Sequence, residues 1–296
     1  PQLPPPLLPP PSAPPPPQLP PLGQDEFSRG ENVVLADGTA WTIRGSTLTI
    51  PQGLALIVSS GATLTIQGTL DNYGTLTIEA NGTLTNEDQL HNRGTLTINA
   101  DGTLTNGGFP SKLGNYGTLT IEAGGTLTNA YRLENWATLT IEAGGALTNE
   151  YRLDNRGTLT IEANGTLTNE DQLHNWDTLT IEANGALTNE GGFDTLNHMY
   201  RLYNYGTLTI NADGTLTNEG FPSKLDNYGT LTINAGGTLM NEYRLENWGT
   251  LTIDAGGALM NEYRLDNWNT LTSTASSQIY SVSYSAIQSR STTGAR

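Results

Sequence analysis

The sequence has no cysteine and few charged residues. The absence of cysteine from all 296 residues excludes disulfide bonds, thiolate nucleophiles and cysteine metal sites. Charged residues make up 14% of the chain and hydrophobic residues 35%, and both shares are low for a globular enzyme of this length. We therefore do not expect one large globular core.

Positive charge is also scarce. The formal net charge is −16, and the chain contains only two lysines, Lys112 and Lys224. Such a chain repels phosphate backbones and anionic bilayers, which argues against a nucleic-acid partner. The longest apolar run, at 54–58, is far shorter than the roughly 20 residues that a membrane helix needs, so we expect no membrane span.

Proline is concentrated at the start of the chain. Residues 1–22 contain 13 of the 16 prolines, interleaved with leucines that include Leu3, Leu7 and Leu8. Such a run adopts extended polyproline II rather than helix or sheet. The sequence therefore predicts a proline-rich extended arm over 1–30.

The rest of the chain is dominated by one phrase, which reads "GTLTIEANGTLTNEDQLHNR" at 74–93. From Ile78 onward its isoleucine recurs every 20 residues, apart from two steps of 23 and one of 29. A fixed period near 20 is typical of repeat architectures with one supersecondary unit per repeat. We predict irregular N-terminal coils over 31–73, regular coils over 74–272, and a C-terminal strand and tail over 273–296.

Each repeat contains three short strand patterns. In the first repeat Leu76, Ile78, Leu84 and Leu90 face one way, while threonines alternate with them, as strands require. A turn at 81–82 separates two strands, and we expect its glycine to take a positive φ. One coil cannot be stable alone, but stacked coils pair their backbones and bury a column of Leu and Ile. The predicted fold is an all-β, single-chain β-solenoid.

Stacking converts each repeat position into a column. The asparagines after the second and third strand patterns form two unbroken columns, whose amides we expect to hydrogen-bond along the stack. The residues just before each "GTLTI" phrase form an aromatic and arginine column. That column is stabilised by stacking on an outer face, or it is a docking strip for a partner. Its candidate inter-subunit contacts are Tyr116, Trp136, Trp176, Tyr205, Tyr228, Trp248 and Trp268.

Two further columns suggest other ligands. The column after the isoleucine holds Glu79, Glu122, Glu142, Glu162, Glu182 and Asp254 among asparagines, and Ca²⁺ between carboxylates is one reading, although a solvated acidic edge fits better. Threonine pairs such as 138 and 140 form two files on one face, which resembles the ice-binding face of β-solenoid antifreeze proteins. Threonine is equally an ordinary exposed strand residue.

No constellation supports catalysis. The three histidines, at 91, 174 and 198, do not recur as a cluster, and each candidate carboxylate belongs to a repeating column. We therefore expect a protein that is not an enzyme and has no cofactor.

The "TLTIPQG", "GATLTIQGTLDNYGTLTI" and "GTLTN" phrases resemble the low-complexity β-solenoid repeats of exported microbial surface and adhesin-type proteins. The resemblance covers about residues 37–272. It implies an extracellular or cell-surface location and a structural or adhesive role.

The ends of the predicted rod suggest self-assembly. The segment 277–289 alternates residues such as Tyr280, Val282 and Tyr284 with serines, which predicts a strand in need of a partner. We predict a protomer of a head-to-tail fibre or surface filament, with an ice-binding protein and a monomeric adhesin stalk as alternatives. The proline arm either docks on a neighbour's aromatic column or is a spacer to cell-wall or matrix components.

Overall fold

The structure is a parallel β-solenoid, as the sequence predicted. The computed structural model describes residues 22–191, 200–281 and 286–289. These residues form a short 3-10 helix, Gln24–Phe27, and 34 strands. The first strands are β1 (Val33–Leu35), β2 (Ala40–Ile50), β3 (Ala55–Val58), β4 (Thr63–Asn72), β5 (Thr75–Ile78), β6 (Thr83–Asn86), β7 (Gln89–Asn92), β8 (Thr95–Ile98), β9 (Thr103–Asn106), β10 (Lys112–Asn115), β11 (Thr118–Ile121) and β12 (Thr126–Asn129). They are followed by β13 (Arg132–Asn135), β14 (Thr138–Ile141), β15 (Ala146–Asn149), β16 (Arg152–Asn155), β17 (Thr158–Ile161), β18 (Thr166–Asn169), β19 (Gln172–Asn175), β20 (Thr178–Ile181), β21 (Ala186–Glu190), β22 (Arg201–Asn204) and β23 (Thr207–Ile210). The last are β24 (Thr215–Glu219), β25 (Lys224–Asn227), β26 (Thr230–Ile233), β27 (Thr238–Asn241), β28 (Arg244–Asn247), β29 (Thr250–Ile253), β30 (Ala258–Asn261), β31 (Arg264–Asn267), β32 (Thr270–Ser273), β33 (Gln278–Ser281) and β34 (Ala286–Ser289).

Each regular coil contributes a first, a second and a third strand, and each strand pairs in parallel with its counterpart in the next coil. For example, β14, β15 and β16 pair with β17, β18 and β19 without a shift of register. The first strands form a 12-stranded sheet, which at about 4.8 Å per strand is about 53 Å long. The long strands β2 and β4 run through the second and third positions, so these two ladders join in one sheet.

The core is a column of leucine and isoleucine side chains along the axis, with four from a regular coil such as 74–93. Leu76, Ile78, Leu84 and Leu90 of one coil have no exposed surface, and their counterparts in the following coils are buried as far as Leu265. The alternation along β5 and β6 thus places the leucines and the isoleucine inside and leaves the threonines partly exposed.

The turn between first and second strands differs from the prediction. Its positive φ belongs to the first residue of the pair, at 59° for Asn81 and 80° for Gly124, and not to the second-position glycine. That glycine is needed for space, because a Cβ on Gly82 would lie 2.7 Å from the carbonyl oxygen of Val58 in the previous coil. The second residue of the turn is therefore glycine because the backbones of adjacent coils approach closely at this position.

Both asparagine columns form the predicted hydrogen-bonded ladders inside the rod. The side chain of Asn155 is fully buried, and its Nδ2 donates to Asn175 Oδ1 at 2.8 Å and to the Thr178 carbonyl oxygen at 2.7 Å. The same pair of bonds recurs at most positions of both columns, where each amide donates to the following coil and accepts from the preceding one. Among the described residues the exceptions are at the column ends, where Asn72 Oδ1, Asn86 Oδ1 and Asn261 Nδ2 have no partner. The ladders are therefore directional.

The two ends of the described rod differ. At the N-terminal end Leu22 and Phe27 are buried, the Leu22 amide donates to the Thr42 carbonyl oxygen, and Gln24 bonds the backbone of Thr49 in both directions. The last part of the predicted arm thus covers β2. At the C-terminal end, β32, β33 and β34 pair on one side only within the described residues, so a strand edge is left open.

Candidate functional site

The outer surface of the third strands carries most of the side chains with functional potential. In most of these strands the first residue is a cation, and these residues form a cation column. In several of them the third residue is a carboxylate, which lies between the cation column and the aromatic column. The cation column contains Lys112, Arg132, Arg152, Arg201, Lys224, Arg244 and Arg264. It holds seven of the 13 cationic residues of the chain, so this face differs sharply from the acidic rest of the molecule.

Carboxylates of this face are buried beneath their partners. Glu134 is 4% exposed and contacts Lys112 Nζ at 2.7 Å, Arg132 at 2.5 Å and the indole Nε1 of Trp136 at 3.1 Å. In the next coil Asp154 is fully buried and contacts Arg152 Nε at 2.9 Å and His174 Nδ1 at 2.8 Å. The cations are therefore largely neutralised by their own chain.

The same network occurs a second time, 112 residues further along. Glu246 contacts Lys224 Nζ at 2.9 Å, the Arg244 guanidinium and the indole Nε1 of Trp248 at 3.1 Å. Asp266 takes the place of Asp154 and contacts Arg264 Nε at 2.6 Å. The sequence analysis did not detect this duplication. The "FPSKL" insertions followed by "YRLEN" and "YRLDN" in both halves were the available signal.

These contacts shift the pKa values of the buried carboxyl groups. Burial alone would raise the pKa of Glu134, but hydrogen bonds from Lys112 and Trp136 outweigh it and hold the pKa below the ordinary value. Glu246 is lowered in pKa by the same balance, with Lys224 and Trp248 as its donors. Asp226 has no counterpart in the first network. Its burial raises its pKa, although the hydrogen bond from Lys224 acts in the opposite direction.

Each network lies beside a pair of tyrosines, and together they form a groove that sequence reasoning missed. Tyr131 and Tyr151 stack with ring centroids 5.0 Å apart, and the Phe109 ring meets Tyr131 edge-on at 5.6 Å. Tyr243, Tyr263 and Phe221 repeat this arrangement at 4.9 and 5.2 Å. We call the first site, and the second one on the basis of its matching side chains, the tyrosine grooves. The first encloses about 310 Å³ and is lined by Gln89, Pro110, Ser111, Lys112, Tyr131, Arg132, Tyr151 and Arg152.

The aromatic column predicted as an inter-subunit contact is a continuous stack. Trp176 and Tyr205 lie 4.2 Å apart between ring centroids, and Arg156 bridges Trp136 and Trp176 at 4.5 and 5.8 Å. Stacking also links the other members, Tyr116, Tyr228, Trp248 and Trp268. All seven predicted residues are 38–45% exposed, so the column is stabilised internally and remains open to a partner.

The other predicted contact residues lie at or beyond the ends of the described chain. Tyr280 is 53% exposed in β33 at the open end. Leu3, Leu7, Leu8, Val282 and Tyr284 are outside the described residues. Their role in contacts between subunits stays a prediction.

The columns considered for ice and calcium are also in register. The threonine files of the first strands pair without interruption from β5 to β32, for example Thr138 with Thr158. In the acidic column Asn211 donates to Glu182 Oε2 at 2.7 Å, so an amide relieves part of the carboxylate repulsion. Within the described ranges no group of three or more His, Cys, Asp or Glu side chains is arranged to hold a metal ion.

The fold and its repeated outer columns define a β-solenoid repeat protein, as the sequence predicted. The sequence profile of the haemagglutinin repeat matches residues 28–108, 116–220 and 223–279, which is most of the chain. The chain therefore belongs to the haemagglutinin repeat family. This membership indicates an adhesin-like surface or secreted protein, of a family whose members are typically structural and not enzymatic.

The chain is similar to a crystal structure of a TibC-catalysed, hyper-glycosylated TibA fragment, residues 55–350. The identity is 15% and the TM-score 0.33, over 86% of this chain and 90% of that one, which is too distant to indicate a function. No curated protein matches the chain. Among the described residues, no helix has the length and apolarity to cross a membrane.

Proposed function

We propose that this chain is the protomer of an extracellular adhesin-like filament that assembles end to end. The observation that supports the proposal is the open C-terminal end. Leu271 and Ile279 are only partly buried, whereas Leu251 and Leu259, one coil earlier, are fully buried. Within the described residues, an incompletely covered core together with strand edges that pair on one side only favours addition of another chain.

The opposite end offers a different surface. There β1 pairs on one side only within the described part of the chain, and its Val34 is 57% exposed beside the 3-10 helix Gln24–Phe27. A contact between two different ends is heterologous and does not close on itself, so it produces a filament. Pairing of two open ends would instead close as a dimer. Cell-wall or matrix components are the further partners that we propose for such a surface filament.

Electron microscopy of purified protein tests this proposal. We expect filaments from the unmodified chain, and only short rods from Leu271→Lys/Ile279→Lys, because two ammonium groups cannot be buried in the joint. The matched control is Thr272→Lys/Gln278→Lys, which adds the same charge at exposed positions of β32 and β33 and should still form filaments. Deletion of 274–296 should also shorten or abolish them. Dispersed rods or closed dimers at all concentrations of the unmodified chain would contradict the proposal, and dispersed rods would favour a monomeric adhesin stalk.

A second candidate is ice binding by the first-strand face. It is supported by the two threonine files, which stay in register over successive coils. The test is ice shaping and thermal hysteresis, with Thr138→Lys/Thr158→Lys as the disrupting variant. Ordinary ice growth in the presence of the unmodified protein would eliminate this candidate.

A further inference from the structure

We propose that the two tyrosine grooves bind the proline-rich segment 1–21 of the same chain. This inference does not depend on filament formation. The docking site that we propose for the arm is thus the tyrosine grooves and not the aromatic column.

The chemistry of the grooves fits a neutral ligand that only accepts hydrogen bonds. Three side chains of the first groove are N–H donors that are partly open to solvent. Lys112, Arg132 and Arg152 are 28%, 39% and 35% exposed. Polyproline II offers the complement, because its carbonyl oxygens make no internal hydrogen bonds and proline has no N–H. Proline-rich segments also pack on tyrosine-lined grooves in known recognition modules.

The charge balance argues against an anionic ligand. In the second groove the three cations Lys224, Arg244 and Arg264 face three buried carboxylates, Asp226, Glu246 and Asp266. The first groove has three cations and two carboxylates. Both sites are thus close to neutral, and segment 1–21 has no charged residue.

The length and attachment of the segment agree with the spacing of the grooves. The described chain begins at Leu22, on β2, which heads the second and third ladders. Four strand steps of about 4.8 Å separate β2 from β13 beside the first groove, which gives about 19 Å, and nine steps to β28 give about 43 Å. At about 3.1 Å per residue the arm covers these distances with about 6 and 14 residues, and its full length is about 65 Å.

This reach assigns a register. Counting back from Leu22, the run "PPPP" at 14–17 reaches the first groove and "LLPPP" at 7–11 reaches the second. Leu7 and Leu8 of the second run are two of the three arm leucines that were predicted as contact residues. One continuous segment is therefore long enough to occupy both grooves.

The absence of cysteine makes the full chain suitable for a direct test. A nitroxide on Ser12→Cys, between the two proline runs, reports the mobility of the arm by electron spin resonance. We expect an immobilised spectrum whose shape does not change on dilution, because docking is intramolecular. Excess synthetic peptide 1–21 should release the label.

Paired variants then locate the docking surface. Tyr151→Ser/Tyr263→Ser alters both grooves, at side chains that are 36% and 51% exposed. Tyr116→Ser/Tyr228→Ser makes the same change in the aromatic column, at side chains that are 41% and 43% exposed, and again 112 residues apart. We expect the immobilised fraction to fall several-fold in the groove variant and to persist in the control. Circular dichroism checks that both variants keep the fold.

Three results would overturn the proposal. A label that is equally mobile in the unmodified chain and the groove variant would show that the arm does not dock. Release by the column variant alone would transfer docking to the aromatic column. Binding of a neutral oligosaccharide that requires Tyr151, with the arm mobile throughout, would assign the grooves to a glycan.

Discussion

At the scale of single residues, the buried asparagines decide how the coils align. An amide carries both donors and an acceptor, so one residue type can satisfy itself when it recurs at strand spacing. Asn135, Asn155 and Asn175 illustrate this, because each donates to the next coil and accepts from the one before. A shift of one residue would remove every such bond in the ladder, so the ladders specify the register.

Replacing one asparagine in mid-ladder should be costly. Asn155→Ala removes one acceptor of Asn135 Nδ2, which keeps its bond to the Thr158 carbonyl oxygen, and leaves the Oδ1 of Asn175 without its donor inside the rod. Each buried polar group left unpaired costs about 1–3 kcal/mol. We expect a clearly lower thermal midpoint by circular dichroism, and little change in Thr158→Ala, which alters an exposed side chain nearby. Equal midpoints for the two variants would refute a stabilising role of the ladder.

The buried glutamates should make stability depend on acid. The pKa values of Glu134 and Glu246 are lower in the folded chain than their ordinary value of 4.5, so the unfolded chain binds protons more readily. Their contribution is therefore present above pH 4.5 and is lost as the pH falls through the folded-state values.

We expect Glu134→Gln/Glu246→Gln to lower stability at neutral pH and to flatten the loss of stability below pH 4.5, as measured by urea unfolding at a series of pH values. The control is Glu142→Gln/Glu162→Gln on half-exposed positions, which should keep the acid dependence. An unchanged acid slope in the first variant would contradict this assignment.

At the scale of the strand and turn, each position of the turn pair has its own requirement. The first needs a positive φ, which Asn164, Asn184 and Gly144 all supply at 60–82°. The second needs space, because a Cβ on Gly145 would lie 2.7 Å from the Ile121 carbonyl oxygen. The first position therefore tolerates asparagine, and the second does not tolerate any side chain.

This difference can be tested in a single turn. Gly145→Ala should destabilise the rod by about 1–3 kcal/mol, because the backbones of two coils must separate. Gly144→Asn should be neutral or slightly stabilising, since neighbouring coils hold asparagine at φ near 60°. Thermal midpoints of the two variants decide the matter, and a milder effect of Gly145→Ala than of Gly144→Asn would invert the interpretation.

At the scale of the whole molecule, repetition explains which features the sequence could predict. The period, the inward Leu and Ile and the asparagine columns followed from patterns that recur in each coil. The covering of β2 by Leu22 and Phe27 did not follow from such a pattern, because these two residues do not recur and their burial depends on the end of the rod. The tyrosine grooves depend on neighbours in adjacent coils, so that Phe109 meets Tyr131 only after the coils are stacked.

The directional pairing of coils also sets how the rod responds to tension. A pull on its two ends acts along the hydrogen bonds between coils, for example between β14 and β17, and opens them one coil at a time. A released coil of 20 residues lengthens the tether by about 65 Å, since an extended chain spans about 3.3–3.6 Å per residue. Optical tweezers should record a staircase of nearly equal extensions, with longer steps at the coils that carry insertions. Such a molecule yields gradually under load and dissipates work before its attachment fails.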